Sequence, residues 1–260
     1  MKKVTIKKIL EKKGKEPIVC LTAYSKPLTE ILDKYCDIIL VGDSVGMTLY
    51  GMNNTKQVSI DTMMLHGKTV KKFAQKSLVV FDMPYKTYTN KYTAYKNAKK
   101  ILKITKCDAL KLEGGKEKIN IIKYLIKKKI PIMGHIGLLP QSSSSFKLQG
   151  KKLLQKKKIL EDAIALSNSG VFAIVIECVV EDLAKKITNN VLVPTIGIGA
   201  SKHCDGQILV IDDLVGLNSF YPKFVKKYSN IKKNIEKAVR NYCYEVKKRK
   251  FPSNKHVYRH

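Results

Sequence analysis

The chain has 260 residues, 44% of them hydrophobic, enough for a sizeable core and an ordinary length for a single α/β barrel. Its 50 Lys and Arg against 21 Asp and Glu leave a formal charge of +29, but the lysine pairs and triplets (Lys12-Lys13, Lys71-Lys72, Lys127 to Lys129, Lys156 to Lys158) are dispersed as solvated helix faces, not gathered into a nucleic-acid footprint. No apolar run approaches the ~20 residues of a membrane helix, no signal-peptide core follows the basic start, and six cysteines without a CxxC pair read as reduced thiols, so a cytoplasmic protein that binds neither membrane nor nucleic acid is expected.

Residues 4–13 are expected to form a helix plugging the bottom of a barrel. After it, short runs rich in Val, Ile and Leu alternate with segments of helical period, as buried parallel strands joined by helices do. The first run, "IVCLTAY" (18–24), precedes a helix over 26–35 with Pro27 near its start. "IILVG" (38–42) precedes a helix over 60–75, "LVVFDMP" (78–84) one over 91–106, and "ALKLEGG" (109–115) one over 117–129. "IPIMGHIG" (130–137) is followed by the polar loop "QSSSSFKLQGKK" (141–152), then a helix over 153–169 closing at Gly170. "FAIVIECV" (172–179) leads to a helix over 181–190, and "VPTIGIGA" (193–200) and "QILVIDDLVGL" (207–217) complete eight runs. A loop over 217–228 and a helix over 230–249 follow. Eight βα units predict a single (β/α)8 TIM barrel over 1–260, with the two loops as mobile segments on its active face.

Barrel chemistry sits where strands end at the C-terminal face. Those ends carry Thr22 and Tyr24, Asp43 and Ser44, Asp82, Lys111 and Glu113, His135, Glu177, Gly197 and Gly199, and Asp212 with Asp213. Asp43, Asp82 and Glu113 come from three successive ends. Each alone reads as a cap on the following helix, but three carboxylates crowded at one mouth repel one another unless a cation joins them. All three are hard oxygen donors, which suits Mg2+. Lys111 lies inside an apolar strand, so it either pairs with Glu113 or holds a substrate carboxylate, with a Schiff base as a further option. Glu177 ends the most apolar run, where burial should raise its pKa into a range useful for moving a proton, making it the candidate general base. Cys178 beside it reads as a packed thiol. His135 either donates to a developing oxyanion or satisfies a backbone carbonyl. The glycines of "TIGIGAS" lack the GxGxxG spacing and mark close backbone approach instead.

In this order, the blocks "VGDSVGMTLYG", "DMPY", "KLEGG", "GHIGLLPQ", "ECV", "IGIGA" and "DGQILVIDDLVGL" resemble the ketopantoate hydroxymethyltransferase family, from about residue 4 to 228. The resemblance implies a (β/α)8 barrel assembled as a large homo-oligomer, a decamer. It also implies Mg2+-dependent transfer of a one-carbon unit from 5,10-methylenetetrahydrofolate to 3-methyl-2-oxobutanoate, giving ketopantoate for coenzyme A. By position, Asp43 and Asp82 match the acids that hold the metal, and Glu113 a third acid at or near its coordination shell. Asp43, Ser44, Asp82 and Lys111 match the positions that hold the oxoacid, and Glu177 the proton acceptor. The chain departs from the family in "SSSSF", "KTVKKF", "NSFY" and "GIGASKHCDG", all in segments that bear on folate affinity or assembly and none at a proposed catalytic position. Metal plus base would equally serve a related Mg2+-dependent lyase or mutase of another 2-oxoacid.

Overall fold

Residues 38–41 ("IILV") and 78–82 ("LVVFD") are buried at every position, as parallel strands covered on both faces must be. In the computed structural model, which describes residues 3–143 and 147–259, eight parallel strands close into one barrel in chain order. They are β1 (Ile18–Thr22), β2 (Ile38–Val41), β3 (Leu78–Asp82), β4 (Ala109–Glu113), β5 (Ile132–Gly137), β6 (Ala173–Glu177), β7 (Thr195–Ile198) and β8 (Gly206–Leu209). The helices are α1 (Ile6–Glu11), α2 (Lys26–Leu32), α3 (Val45–Thr48), α4 (Ile60–Phe73), α5 (Lys91–Thr105), α6 (Ile119–Lys127), α7 (Leu153–Asn168), α8 (Glu181–Asn190), α9 (Ile211–Leu214) and α10 (Ile231–Lys247). By its internal contacts the chain divides into two compact units, Met1–Val210, which holds the barrel, and Ile211–His260. No helix among the described residues is long and apolar enough to cross a membrane.

The predicted helix starts have chemical causes. Ser59 Oγ accepts the N–H of Thr62 at 3.1 Å ahead of α4, and Asn90 Oδ1 accepts those of Tyr92 and Thr93 at 3.0 Å ahead of α5, as side-chain N-caps do. The eighth run departs from expectation. Its first part is β8, but residues 211–214 turn into α9 with Asp212 and Asp213 in the first turn, where acids complement the helix dipole. These two acids therefore belong to the second unit and do not end a strand. That unit also contains α10, capped by Asn230 Oδ1 accepting from Lys233 N–H at 3.3 Å. Between α9 and α10 the expected loop is tied back by Tyr228 N–H to the Leu214 carbonyl, 2.9 Å. Of the predicted loop 141–152, residues 144–146 lie outside the described residues.

The N-terminal helix does fill the barrel's lower end. Ile9 is fully buried in one cluster with Ile18, Ile38, Leu78, Ala109 and Phe172, and Val4 and Ile6 pack against it. At the same end, aspartates placed just before β2, β4 and β8 clamp the neighbouring strands. Asp37 accepts Val19 N–H at 3.0 Å and pairs with Lys12 at 2.8 Å. Asp108 accepts Val79 N–H at 2.9 Å together with Lys71 and Lys3. Asp205 accepts Thr195 N–H and Lys13, each at 2.8 Å. A fourth aspartate, Asp33, gathers the N–H groups of Gln75, Lys76 and Ser77 at 2.9, 3.0 and 2.7 Å.

Inside the barrel the alternation of strands decides what reaches the mouth. Leu78 and Val80, then Ala109, then Met133, then Ala173 and Val175 all point into the interior cluster. Two residues further along these strands, and four in the case of Glu113, the same inward parity delivers Asp82, Lys111 with Glu113, His135 and Glu177.

Candidate active site

Asp82, Lys111, Glu113 and His135 are at most 4% exposed, although all carry ionisable groups. Register explains who meets whom. Asp82 is the cross-strand partner of Lys111, and Glu113 that of His135. Lys111 Nζ donates to both oxygens of Asp82 at 2.7 Å. The expected pairing with Glu113 is thereby corrected: a residue two positions along the same strand lies about 6.6 Å away, whereas neighbouring strands run about 4.8 Å apart. Burial alone would lower the Lys111 pKa, but Asp82, Glu113 and Asp43 together raise it above the ordinary lysine value. A cation held this firmly is a donor, not the neutral amine that a Schiff base requires. Two of its three N–H bonds serve Asp82, leaving a third for a substrate anion.

Asp43 leaves the strand parity and sits in the turn after β2, 5% exposed. It caps no helix; its Oδ2 accepts from Gln141 Nε2 at 2.8 Å. Burial, then the nearby Asp82 charge, pushes its carboxyl up to about 7. Burial also pushes Glu113 well above the carboxylate range against the opposing pull of Lys111. Ser44 opens α3 without capping it, because its Oγ is engaged with Tyr24 OH at 2.7 Å. Behind Tyr24, its carbonyl meets His66 Nδ1 at 2.7 Å, and His66 Nε2 meets Tyr50 OH at 2.9 Å.

Glu177 ends β6 with its side chain 14% exposed, the most open of these carboxylates. Burial pushes it up to about 7, against the pull of Lys111. Its main chain is held by β5: a Cβ on Gly137, whose φ is +93°, would stand 2.3 Å from the Glu177 carbonyl oxygen, and Leu138 N–H donates to that oxygen at 2.8 Å. His135 Nε2 stands 3.2 Å from Glu177 Oε2 and its Nδ1 3.6 Å from Glu113 Oε1. Neither ring nitrogen makes a well-aligned hydrogen bond among the described residues, although the neighbouring Leu138 backbone favours the protonated ring. Burial, then Lys111, holds the ring well below its ordinary pKa, leaving it neutral at pH 7. Burial, then Glu177, pushes the Cys178 thiol up to about 12, in keeping with a packed thiol.

Among the described residues, no three His, Cys, Asp or Glu side chains are grouped to ligate one ion. A hard divalent cation needs only one or two carboxylates when water and substrate complete its shell, and Asp43 with Asp82 would supply that oxygen-only donor pair. Burial, then the Asp82 charge, disfavours an ionised Asp43, and a bound cation would offset both. These residues fit a magnesium ion.

Two residues of the site carry little signal in the sequence. Gln141, 1% exposed, and Tyr88, 6% exposed, join the acids from the segments after β5 and β3; Gln141 closes the "GHIGLLPQ" block, whereas Tyr88 lies in an undistinguished turn.

Compared with known proteins, residues 3–254 match the family model described as ketopantoate hydroxymethyltransferase. Curated relatives named 3-methyl-2-oxobutanoate hydroxymethyltransferase include one from Pelagibacter ubique, 55% identical over 97% of this chain and 99% of the relative. Another, from Anaplasma marginale, is 50% identical over 96% of this chain and 91% of the relative. Among solved structures, phosphonopyruvate hydrolase in complex with oxalate and Mg2+ superposes with a TM-score of 0.63 at 10% identity, covering 97% of this chain and 93% of that one. A 2,3-dimethylmalate lyase of the PEP mutase/isocitrate lyase superfamily gives 0.63 at 10% identity, covering 98% and 89%. At that identity the likeness is one of fold.

Proposed function

The chain belongs to the ketopantoate hydroxymethyltransferase family, and from the arrangement at its barrel mouth we propose that it transfers a hydroxymethyl group from 5,10-methylenetetrahydrofolate to 3-methyl-2-oxobutanoate with Mg2+. The observation that carries this reading is the division of labour among buried groups: a cationic Lys111 fixed on Asp82, a proton-hungry Asp43 beside them, and Glu177 pushed up to about 7. Asp43 and Asp82 would hold the cation, with Glu113 at or near its shell. When bound, Mg2+ would supply Lewis-acid polarisation of the 2-oxo group, which makes the C3 hydrogen acidic.

Ser44 Oγ, aimed by Tyr24, and the third N–H of Lys111 hold the oxoacid. A Glu177 carboxylate oxygen takes the C3 proton, and with a pKa near the working pH it both accepts and returns a proton readily. The C3–H bond breaks, C3 bonds to the methylene carbon, both C–N bonds of the folate bridge break, water supplies the hydroxyl, and the protons lost by C3 and by water pass to the two folate nitrogens as tetrahydrofolate leaves. Assembly as a homo-oligomer, decameric as the resemblance implies, and a cytoplasmic location complete the reading; six free cysteines support the latter.

The test combines two assays. With 3-methyl-2-oxobutanoate in deuterated water, C3 should exchange in the presence of Mg2+ and stop on chelation. Adding methylenetetrahydrofolate should give ketopantoate. Exchange without product points to a lyase or mutase; no exchange by metal-replete protein defeats the proposal.

A further inference from the structure

Gln141, in the turn after β5, makes four hydrogen bonds to the ends of three other strands or the turns beyond them. Its backbone N–H donates to Glu113 Oε2 at 3.0 Å. Its Nε2 donates to Asp43 Oδ2 at 2.8 Å and to the Met83 carbonyl at 3.0 Å. Its Oε1 accepts from Tyr88 OH, 2.5 Å away. The amide orientation follows from chemistry: the Met83 carbonyl only accepts, so the atom facing it is the nitrogen, and the same NH2 must face Asp43. Both amide hydrogens and one lone pair of Oε1 are engaged in a site that is 1% exposed, which pins the amide in one pose. The side chain thereby engages one oxygen of Asp43 and the backbone N–H one of Glu113, and each bond fixes where the other oxygen of that carboxylate points; a change of the side chain releases Asp43 alone.

We propose that Gln141 is a positioning residue that aims the Asp43 and Glu113 carboxylates at the divalent cation and so sets its affinity, with Tyr88 locking the amide. Burial, then the Glu113 and Asp82 charges, raises the Tyr88 pKa and keeps its hydroxyl a donor. The inference rests on the Mg2+ reading given above.

Calorimetric titration of MgCl2 into chelator-treated full-length protein tests it, with thermal melting in EDTA alongside. Gln141→Ala should weaken the Mg2+ Kd roughly 10–100-fold, the usual effect of removing a partner of a metal-ligating carboxylate. Gln141→Glu, which keeps the size and the acceptor for Tyr88 but loses the donors, should weaken it similarly. Tyr88→Phe should weaken it less, by under about tenfold. A purely structural role would lower the melting temperature and leave the Kd of the folded protein unchanged, which would overturn the inference. Should Gln141→Ala not fold, a wild-type Kd in Tyr88→Phe overturns it equally. If the wild type itself takes up no Mg2+, the reading beneath fails together with this inference; a wild type that binds Mg2+ beside variants that bind it as well removes this inference alone.

Discussion

Glu177→Gln should cut exchange of the C3 hydrogen of 3-methyl-2-oxobutanoate by about 10²–10⁴-fold, the range a general base contributes. The amide keeps the shape of the carboxylate and its place 3.2 Å from His135, and Glu177 is not one of the acids assigned to the cation. Melting temperature and Mg2+ affinity should therefore stay near wild type while proton transfer fails. The pH profile gives a second readout. In the wild type the base must be ionised, so exchange should fall roughly tenfold per pH unit below its pKa, which burial has moved to about 7, and level off above it. In the variant that acid limb should vanish. Wild-type exchange by Glu177→Gln, followed by NMR in deuterated water, would dismiss the residue as base.

Asp82→Ala carries the second large effect, and it divides into two measurable parts. Removing the carboxylate strips Lys111, 4% exposed, of both bonds that hold its charge. Breaking a buried pair from one side costs about 3–5 kcal/mol, which in a chain of this size lowers the melting temperature by roughly 10 °C. The same substitution removes one of the two oxygen donors to the cation, so Mg2+ dependence should be lost. Asp82→Ala combined with Lys111→Met separates these. An apolar replacement of the whole pair is close to neutral for stability, so the double variant should regain most of the melting temperature without regaining Mg2+ uptake. A single variant with wild-type Mg2+ dependence would take Asp82 out of the cation site.

Much of this architecture is legible in the bare chain because a strand covered on both faces has no choice but to be apolar throughout. The strands from β2 to β7 were visible for that reason, whereas β1 and β8 each leave one residue, Val19 and Gln207, exposed; the acids beyond the runs stood out against them. What escaped follows from what periodicity cannot encode. The run 207–217 is apolar whether it is one long strand or a strand and a turn of helix, and it proved to be the latter. The partner of Lys111 depends on the register of β3 against β4, which a single chain does not record; Glu113 was adjacent in sequence, Asp82 in space. Gln141 and Tyr88 sit in turns, where polar residues are the rule, so nothing in composition separates a buried bridging amide from a solvated one.

Asp33 and Asp108 beneath the barrel and Asp43 and Glu177 at its mouth answer to acid in opposite senses. Burial would raise Asp33 and Asp108, yet the backbone N–H groups of residues 75–77 hold Asp33 below its ordinary pKa, and Lys71, Val79 N–H and Lys3 do the same for Asp108. Their contribution is present at neutral pH and is lost as the medium falls through and below the normal carboxylate range. Asp43 and Glu177, raised to about 7, oppose folding when ionised, and that burden lifts as the pH drops from about 7 toward 4.5. Stripped of divalent ions, the protein should accordingly resist heat best in mildly sour buffer, with magnesium shifting that optimum toward neutrality; melting curves across the pH range, with and without the ion, would trace the displacement.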